Sequence, residues 1–262
     1  MASRLEYLIG ELLREQGLQL AIPETVEKQE LLYRGLQNVR YPAPVSQEFL
    51  YQQDRYLQEK VLEKGVVTLE DMEEIAPQIY LWQGDITRLQ VDAIVNAANS
   101  QMLGCFVPSH RCIDNAIHSA AGVQLRLACQ ELMNQQGHDE PTGQAKITPA
   151  YNLPAQYVLH TVGPIVYDQL TDVERQQLAS SYQSCLDLAV EQGLTSLAFC
   201  CISTGEFGFP QEEAAQIAVA TVMAFLKNHE NIKVVFNVFK DDDKHYYQKQ
   251  FKLVFCRGCR WG

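Results

Sequence analysis

Residues 84–100, GDITRLQVDAIVNAANS, carry the reading from which the rest of the fold follows. The central run VDAIVNAA is apolar and bounded by polar residues, which predicts a strand buried on both faces. After it comes a long loop, NAANSQMLGCFVPSHRC, and then IDNAIHSAAGVQLRLACQELMNQQG (113–137), with the length and terminal glycine of a helix. Working outward, further strands are predicted in QIYLWQGDI (78–86), AKITPAY (145–151), QYVLHTV (156–162), SLAFCCIS (196–203) and KVVFNVF (233–239). Helices are expected in DVERQQLASSYQSCLDLAVEQG (172–193) and PQEEAAQIAVATVMAFLKNH (210–229). Strands that alternate with helices, and are apolar on both faces, indicate a three-layer α/β/α domain with a central mixed sheet of six strands, over residues 66–262.

The first 65 residues have a different texture. Apolar residues recur at helical spacing at Leu5, Leu8, Ile9 and Leu12, and again at Phe49, Leu50, Leu57 and Val61. ETVEKQELLYRGLQNV is also amphipathic, RYPAP breaks the pattern, and Ser46 is placed to cap a helix. The expectation is an N-terminal extension of three helices, a layer packed on the main domain with no chemistry of its own.

Composition narrows the function. Hydrophobic residues make up 47% of the 262, enough for a substantial core, while no apolar run approaches the roughly 20 residues of a membrane-spanning helix. The start, MASRLEYLIGELLREQ, is interrupted by Glu6, Glu11 and Arg14 and lacks the features of a secretory signal, so a cytoplasmic protein is expected. Its eight cysteines are then expected to be reduced thiols rather than a disulfide framework. A net charge of −11 without any Lys/Arg cluster argues against nucleic-acid binding. A small anion can still be held locally by backbone amides.

In open α/β sheets, ligands bind beyond the carboxyl ends of the strands, which directs attention to two loops. STGEFGFPQEEAA offers Ser203, Thr204, Gly205 and Gly208 immediately before a helix, a setting that suits a diphosphate. It matches neither Walker A nor GxGxxG spacing, and a tight turn with no ligand would read the same way. The other loop places Cys105, His110 and Cys112 as C-x4-H-x-C, a soft and borderline donor set that Zn2+ prefers. Three ligands leave a coordination position open, as in catalytic zinc sites; the alternative is two small buried thiols and an ordinary loop histidine. Cys129, Cys185, Cys200 and Cys201 read as core residues, and the lone Cys256/Cys259 pair as a frayed terminal turn rather than a metal or redox site.

GDITRLQVDAIVNAANS, IDNAIHSAAG, TGQAKITPAYNLPAQYVLHTVGPI and STGEFGFPQEEAA, in that order, resemble the macrodomains, the ADP-ribose-binding fold. In ordinary hydrolase macrodomains a glycine-rich run stands where this chain has GCFVPSHRC. That replacement, together with the helical extension, resembles the zinc-containing macrodomains of microbial pathogens. Those are encoded beside a sirtuin-type ADP-ribosyltransferase and a lipoate-carrying relative of the glycine-cleavage H protein. The resemblance implies zinc on Cys105, His110 and Cys112 beside the distal ribose. It implies that Asp85 accepts a hydrogen bond from the adenine amino group, with the Ile86 amide nearby; a turn-forming aspartate is the competing reading. Asn99 would contact the distal ribose while Asn96 ties loops together. Ser203, Thr204, Gly205, Glu206, Phe207 and Gly208 would wrap the diphosphate, with Phe207 or Phe209 against a ribose.

Asp114 matches the acid that metal-free relatives use to orient water or strain the diphosphate, although a carboxylate in the first turn of a helix has its own electrostatic explanation. His118, one turn on, reads as a packed helix residue. The activity implied is zinc-dependent removal of mono-ADP-ribose from a protein side chain, carboxylate-linked, with Asn99 and Asp114 in catalytic roles. The alternatives are a reader that binds ADP-ribose without turnover and a deacetylase of O-acetyl-ADP-ribose.

Overall fold

The computed structural model describes residues 3–256. Three helices come first: α1 (Arg4–Glu15), α2 (Val26–Val39) and α3 (Gln47–Lys64). Ser3 and Glu6 close a capping box on α1, and the Ser46 hydroxyl accepts from the Phe49 amide at 3.1 Å to cap α3. The apolar stripes meet in a small core of Leu8, Ile9, Leu12, Tyr33, Leu36, Phe49 and Leu57, to which Val123 of the main domain contributes. Each such aliphatic side chain, once buried, contributes about 1.5–3 kcal/mol, so the layer holds together by its own packing.

Seven strands follow: β1 (Glu74–Ala76), β2 (Ile79–Gln83), β3 (Ala93–Ala97), β4 (Ala145–Pro149), β5 (Tyr157–Thr161), β6 (Ser196–Phe199) and β7 (Lys233–Val238). They form one sheet in the order β1-β2-β7-β6-β3-β5-β4, parallel from β2 to β5 and antiparallel at both edges. Six of the seven lie where the sequence places them. The extra one, β1, is three residues, too short to show an alternating pattern, and only its pairing with β2 makes it a strand. The central strands are buried on both faces, as at Ile94, Val95, Val158, Leu159, Leu197, Phe199, Val234 and Val235, because helices cover both sides of the sheet.

The expected helix over 113–137 is two, α4 (Ile113–Ala121) and α5 (Val123–Gln136), broken at Gly122 with φ 97°. A Cβ there would lie 2.6 Å from Gln53 Nε2, so the break is where α3 docks. Gln53 Oε1 accepts from the Val123 amide at 3.0 Å and Asn152 Nδ2 donates to Asp54 at 2.8 Å, tying the extension to the domain by polar contacts as well. The remaining helices are α6 (Asp172–Glu191), α7 (Gln211–Leu226) and α8 (Asp241–Cys256), the last in a stretch too charged to show helical periodicity clearly. Cys259 and the side chain of Cys256 lie outside the described residues, so the terminal cysteine pair has no structural account. Among the described residues, no helix is long and apolar enough to cross a membrane.

Candidate active site

Because β2, β7, β6, β3 and β5 run parallel, their carboxyl ends share one edge, and the loops after β2, β3 and β6 converge there. The chain leaves β3 toward β5 on one side and returns to β6 on the other, which makes the β3/β6 boundary the place for a ligand crevice.

At the β2 end, Asp85 caps a 3-10 turn over Ile86–Arg88. One carboxylate oxygen accepts from the Thr87 amide at 3.0 Å and hydroxyl at 2.6 Å, and the other meets Lys64 Nζ of α3 at 3.1 Å. Burial alone would raise this carboxyl, but the bonds from Thr87 and the charge of Lys64 outweigh it and hold the group below its usual range. Asp85 is thus both turn-former and a charged acceptor at the strand-end edge. No acceptor is found for the Ile86 amide among the described residues. Beside this turn, at the end of β7, Phe239 is 74% exposed, a large aromatic with nothing to bury it. Sequence reasoning missed it; the only signal was a phenylalanine one residue past an apolar strand.

After β6, the chain turns back on itself. Ser203 and Gly208 have φ of 64° and 67°, the Phe209 amide donates to the Ser203 carbonyl at 3.0 Å, and the Val166 amide donates to the Phe207 carbonyl at 2.8 Å. Among the described residues, the successive amides of Gly205, Glu206 and Phe207 find no acceptor. Three free N–H groups ahead of α7 make a cradle for an anion. Phe209 is buried, which leaves half-buried Phe207 as the ring able to lie against a ribose.

After β3, Asn96 is fully buried and its Nδ2 donates to Asp114 at 2.8 Å, joining the strand to the start of α4. Asn99 Nδ2 donates to the Gly104 carbonyl at 3.2 Å while its Oδ1 accepts from the Gln101 amide at 3.1 Å, so this side chain shapes the start of the cysteine loop. Cys105, His110 and Cys112 come together: one donor atom from each lies within 4.8 Å of the others. Cys112 also caps α4, its Sγ accepting from the Asn115 amide at 3.4 Å. Burial and the neighbouring Cys105 sulfur push the Cys112 thiol up to about 12, and His110 Nδ1 is buried without a hydrogen-bond partner. Two crowded sulfurs and an orphaned imidazole nitrogen fit a single soft or borderline cation such as Zn2+, which would take the thiols as thiolates. Glu206 reaches across from the loop after β6, its carboxylate 3.6 Å from His110 Nε2, and joins the two loops.

Asp114 lies in the first turn of α4, buried and close enough to Cys112 for its charge to raise that thiol. It is buried against Asn96, and burial raises its carboxyl to about 6 against the opposing pull of Asn96 and Arg126. His118 packs beneath the cysteine loop, where a Cβ on Gly104 would come 2.9 Å from its ring. With Cys129 and His160 it forms a second, wholly buried trio. His160 is bonded to Thr148 at 2.9 Å and Asn96 at 3.2 Å, burial lowers it to about 3 and lowers His118 as well, and both ring nitrogens of His118 are left without a hydrogen-bond partner among the described residues.

Fold and crevice together define an α/β domain with a strand-end site that offers a carboxylate, a run of unpaired amides and three clustered soft donors. A family profile described as "Macro domain" matches residues 95–218. The chain is 54% identical to a protein-ADP-ribose hydrolase of Treponema medium, over 94% of this chain and 95% of that one. It is 51% identical to a protein-ADP-ribose hydrolase of Staphylococcus aureus strain MRSA252, over 95% of each. The Trypanosoma brucei macrodomain in complex with ADP-ribose superposes with a TM-score of 0.64 at 33% identity, covering 79% of this chain and 91% of that one. The chain belongs to the macrodomain family.

Proposed function

We propose that this protein is a zinc-dependent protein-ADP-ribose hydrolase that frees mono-ADP-ribose from a carboxylate-linked side chain. The observation that carries the reading is the convergence of Cys105, His110 and Cys112 next to a cradle of unpaired amides, with His110 and Glu206 in contact across the gap. Relatives named protein-ADP-ribose hydrolase that match nearly the whole chain support the activity.

Cys105, His110 and Cys112 would hold Zn2+, which when bound either polarises ribose and ester oxygens or brings a coordinated water to a pKa near ~7. The chain's own groups do the rest. Asp85, kept ionised, accepts from the adenine amino group while the Ile86 amide donates to the ring and Phe239 stacks on it. The Gly205, Glu206 and Phe207 amides hold the diphosphate, and Phe207 lies on a ribose. These contacts are remote from the bond that breaks, and they fix the distal ribose against the cysteine loop. Asn99 holds that loop's start and reaches the ribose hydroxyls; Asp114 keeps Asn96 and the head of α4 in place from below. Glu206 accepts a hydrogen bond from the attacking water or from a ribose hydroxyl. The reading includes a cytoplasmic setting, a sirtuin-type transferase as the opposing enzyme and a lipoate-carrying glycine-cleavage H-like protein as modified partner.

Elemental analysis of the purified protein, run beside a demodification assay on carboxylate-linked and serine-linked substrates, tests this. One zinc per chain, release from the carboxylate-linked substrate alone, and loss of release after chelation are expected. Full activity in metal-stripped protein would remove the metal from the mechanism, and tight ADP-ribose binding with no turnover of either substrate would make the domain a reader. Faster turnover of O-acetyl-ADP-ribose would make it a deacetylase.

A further inference from the structure

The six residues between the two cysteines, 106–111, have almost no structure of their own; within them, only the His110 amide finds a backbone partner, the Val107 carbonyl at 3.2 Å. Left alone, such a spacer would bring its donors together only against a conformational cost of about 1–2 kcal/mol per residue. Helix α2 of the extension supplies what the loop lacks. Arg34 Nη2 donates to the His110 carbonyl at 3.0 Å, and the same guanidinium grips Asn115 Oδ1 through Nη2 at 2.8 Å and Nε at 3.1 Å. Asn115 in turn donates to the Val107 carbonyl at 3.0 Å. One turn along α2, Asn38 Oδ1 accepts from the Ser109 amide at 2.9 Å, which holds Ser109 at a φ of 52° that a residue with a side chain rarely adopts.

The helix that offers these groups is itself anchored. Arg126 of α5, buried, donates to the carbonyls of Gln37, Asn38 and Arg40 at the C-terminal end of α2, a cation placed where the helix dipole favours one. The same guanidinium lies 4.3 Å over the ring of Phe106, whose other neighbour is Tyr41 at 5.2 Å. Arg126 therefore pins both α2 and the head of the loop. Gly35 faces the loop tip, where an added Cβ would lie 3.8 Å from Pro108 Cβ and 4.0 Å from Ser109 Oγ.

We propose that the N-terminal extension is part of the metal centre: α2, through Arg34 and Asn38, moulds the 105–112 loop into a ligand set, and Arg34 is a positioning residue for His110. The inference rests on the zinc reading above and deepens it by assigning the extension a role. An outer partner that fixes a ligand is worth ~10–100-fold in metal affinity.

The test uses the full-length protein with Co2+ in place of zinc, read by its d–d bands and thiolate-to-cobalt charge transfer and by competition with a chelator. Arg34→Ala is expected to shift the d–d bands and weaken cobalt binding by ~10–100-fold. Its affinity for ADP-ribose should stay within ~3-fold, since the adenine and diphosphate contacts are elsewhere. Gly35→Leu keeps a strong helix former in α2 but drives side-chain atoms into Pro108, and should act likewise; Gly35→Ala, which makes only ordinary contact, should match the wild type. If Arg34→Ala does not fold, Gly35→Leu decides alone. An unchanged cobalt spectrum and affinity in Gly35→Leu, or in folded Arg34→Ala, overturns the inference while leaving the zinc reading intact. Wild-type protein without thiolate-to-cobalt charge transfer overturns both.

Discussion

The cysteine loop after β3 and the amide cradle after β6 stand side by side on the same edge of the sheet, yet they are held in shape by opposite means. The cradle is shaped mainly by backbone: Ser203 and Gly208 turn left-handed, the Phe209 amide closes the turn onto the Ser203 carbonyl, and the one outside backbone bond among the described residues comes from the Val166 amide to the Phe207 carbonyl. The cysteine loop borrows its shape from Arg34 and Asn38 of α2 and from Arg126 of α5. On the function proposed above, the contrast follows from the chemistry each loop would do. An anion is bound by backbone that every residue carries, so a local turn suffices. A cation held by particular side chains needs those side chains aimed, and a loop without secondary structure cannot aim them unaided.

If the two loops do separate jobs, they should be separable by mutation, and the largest effect belongs to the ligands. Cys105→Ala is expected to lower demodification at least ~100-fold while ADP-ribose affinity, measured by calorimetry, changes less than ~3-fold. A comparable loss in both would mean that the loop binds the nucleotide rather than acting on its bond. Gly208→Ala is the reciprocal experiment. Its φ of 67° strains any side chain, and the new Cβ would stand 3.2 Å from the Val166 carbonyl oxygen. A left-handed residue costs about 1–2 kcal/mol, and the loop relieves it by shifting its amides out of the cradle; restoring them on binding uses that energy, so ADP-ribose should bind ~10-fold more weakly, with zinc content unchanged by elemental analysis.

The same contrast explains what could be seen in the sequence. The amide cradle is written in contiguous residues, Ser203 to Gly208, and its glycines and following helix are legible without a structure. The three metal-ligand candidates are also close in sequence, and the parallel core shows in its apolar runs. The buttress was not legible, because Arg34 meets His110 across 76 positions and Arg126 meets Asn38 across 88. An arginine on an amphipathic helix looks like a solvated surface charge until the chain folds back. For the same reason β1, defined by its neighbour, and the burial of Asp114 against Asn96 could not be read locally.

The extension touches the site a second time, at the adenine end, and here the effect should be smallest. Lys64, at the last turn of α3, pairs with Asp85, but its side chain is 53% exposed and that of Asp85 34% exposed, so water screens the pair. Such pairs are worth about 0–1 kcal/mol. Lys64→Met should therefore change ADP-ribose affinity by less than ~3-fold at neutral pH, where Asp85 is ionised with or without its partner. The difference should emerge in acid. Asp85 is held below its usual range, so its charge is kept, and the stability it lends is retained, until pH falls through that lowered value. Removing Lys64 takes away one of the two supports, leaving Thr87 alone against burial, and the loss of nucleotide affinity on acidification should begin at a higher pH. A titration of ADP-ribose affinity from pH 7 downward, wild type against Lys64→Met, reads that displacement. Coincident curves would show that Thr87 by itself sets the carboxylate, and that of the extension's two contacts only the one at His110 bears on function.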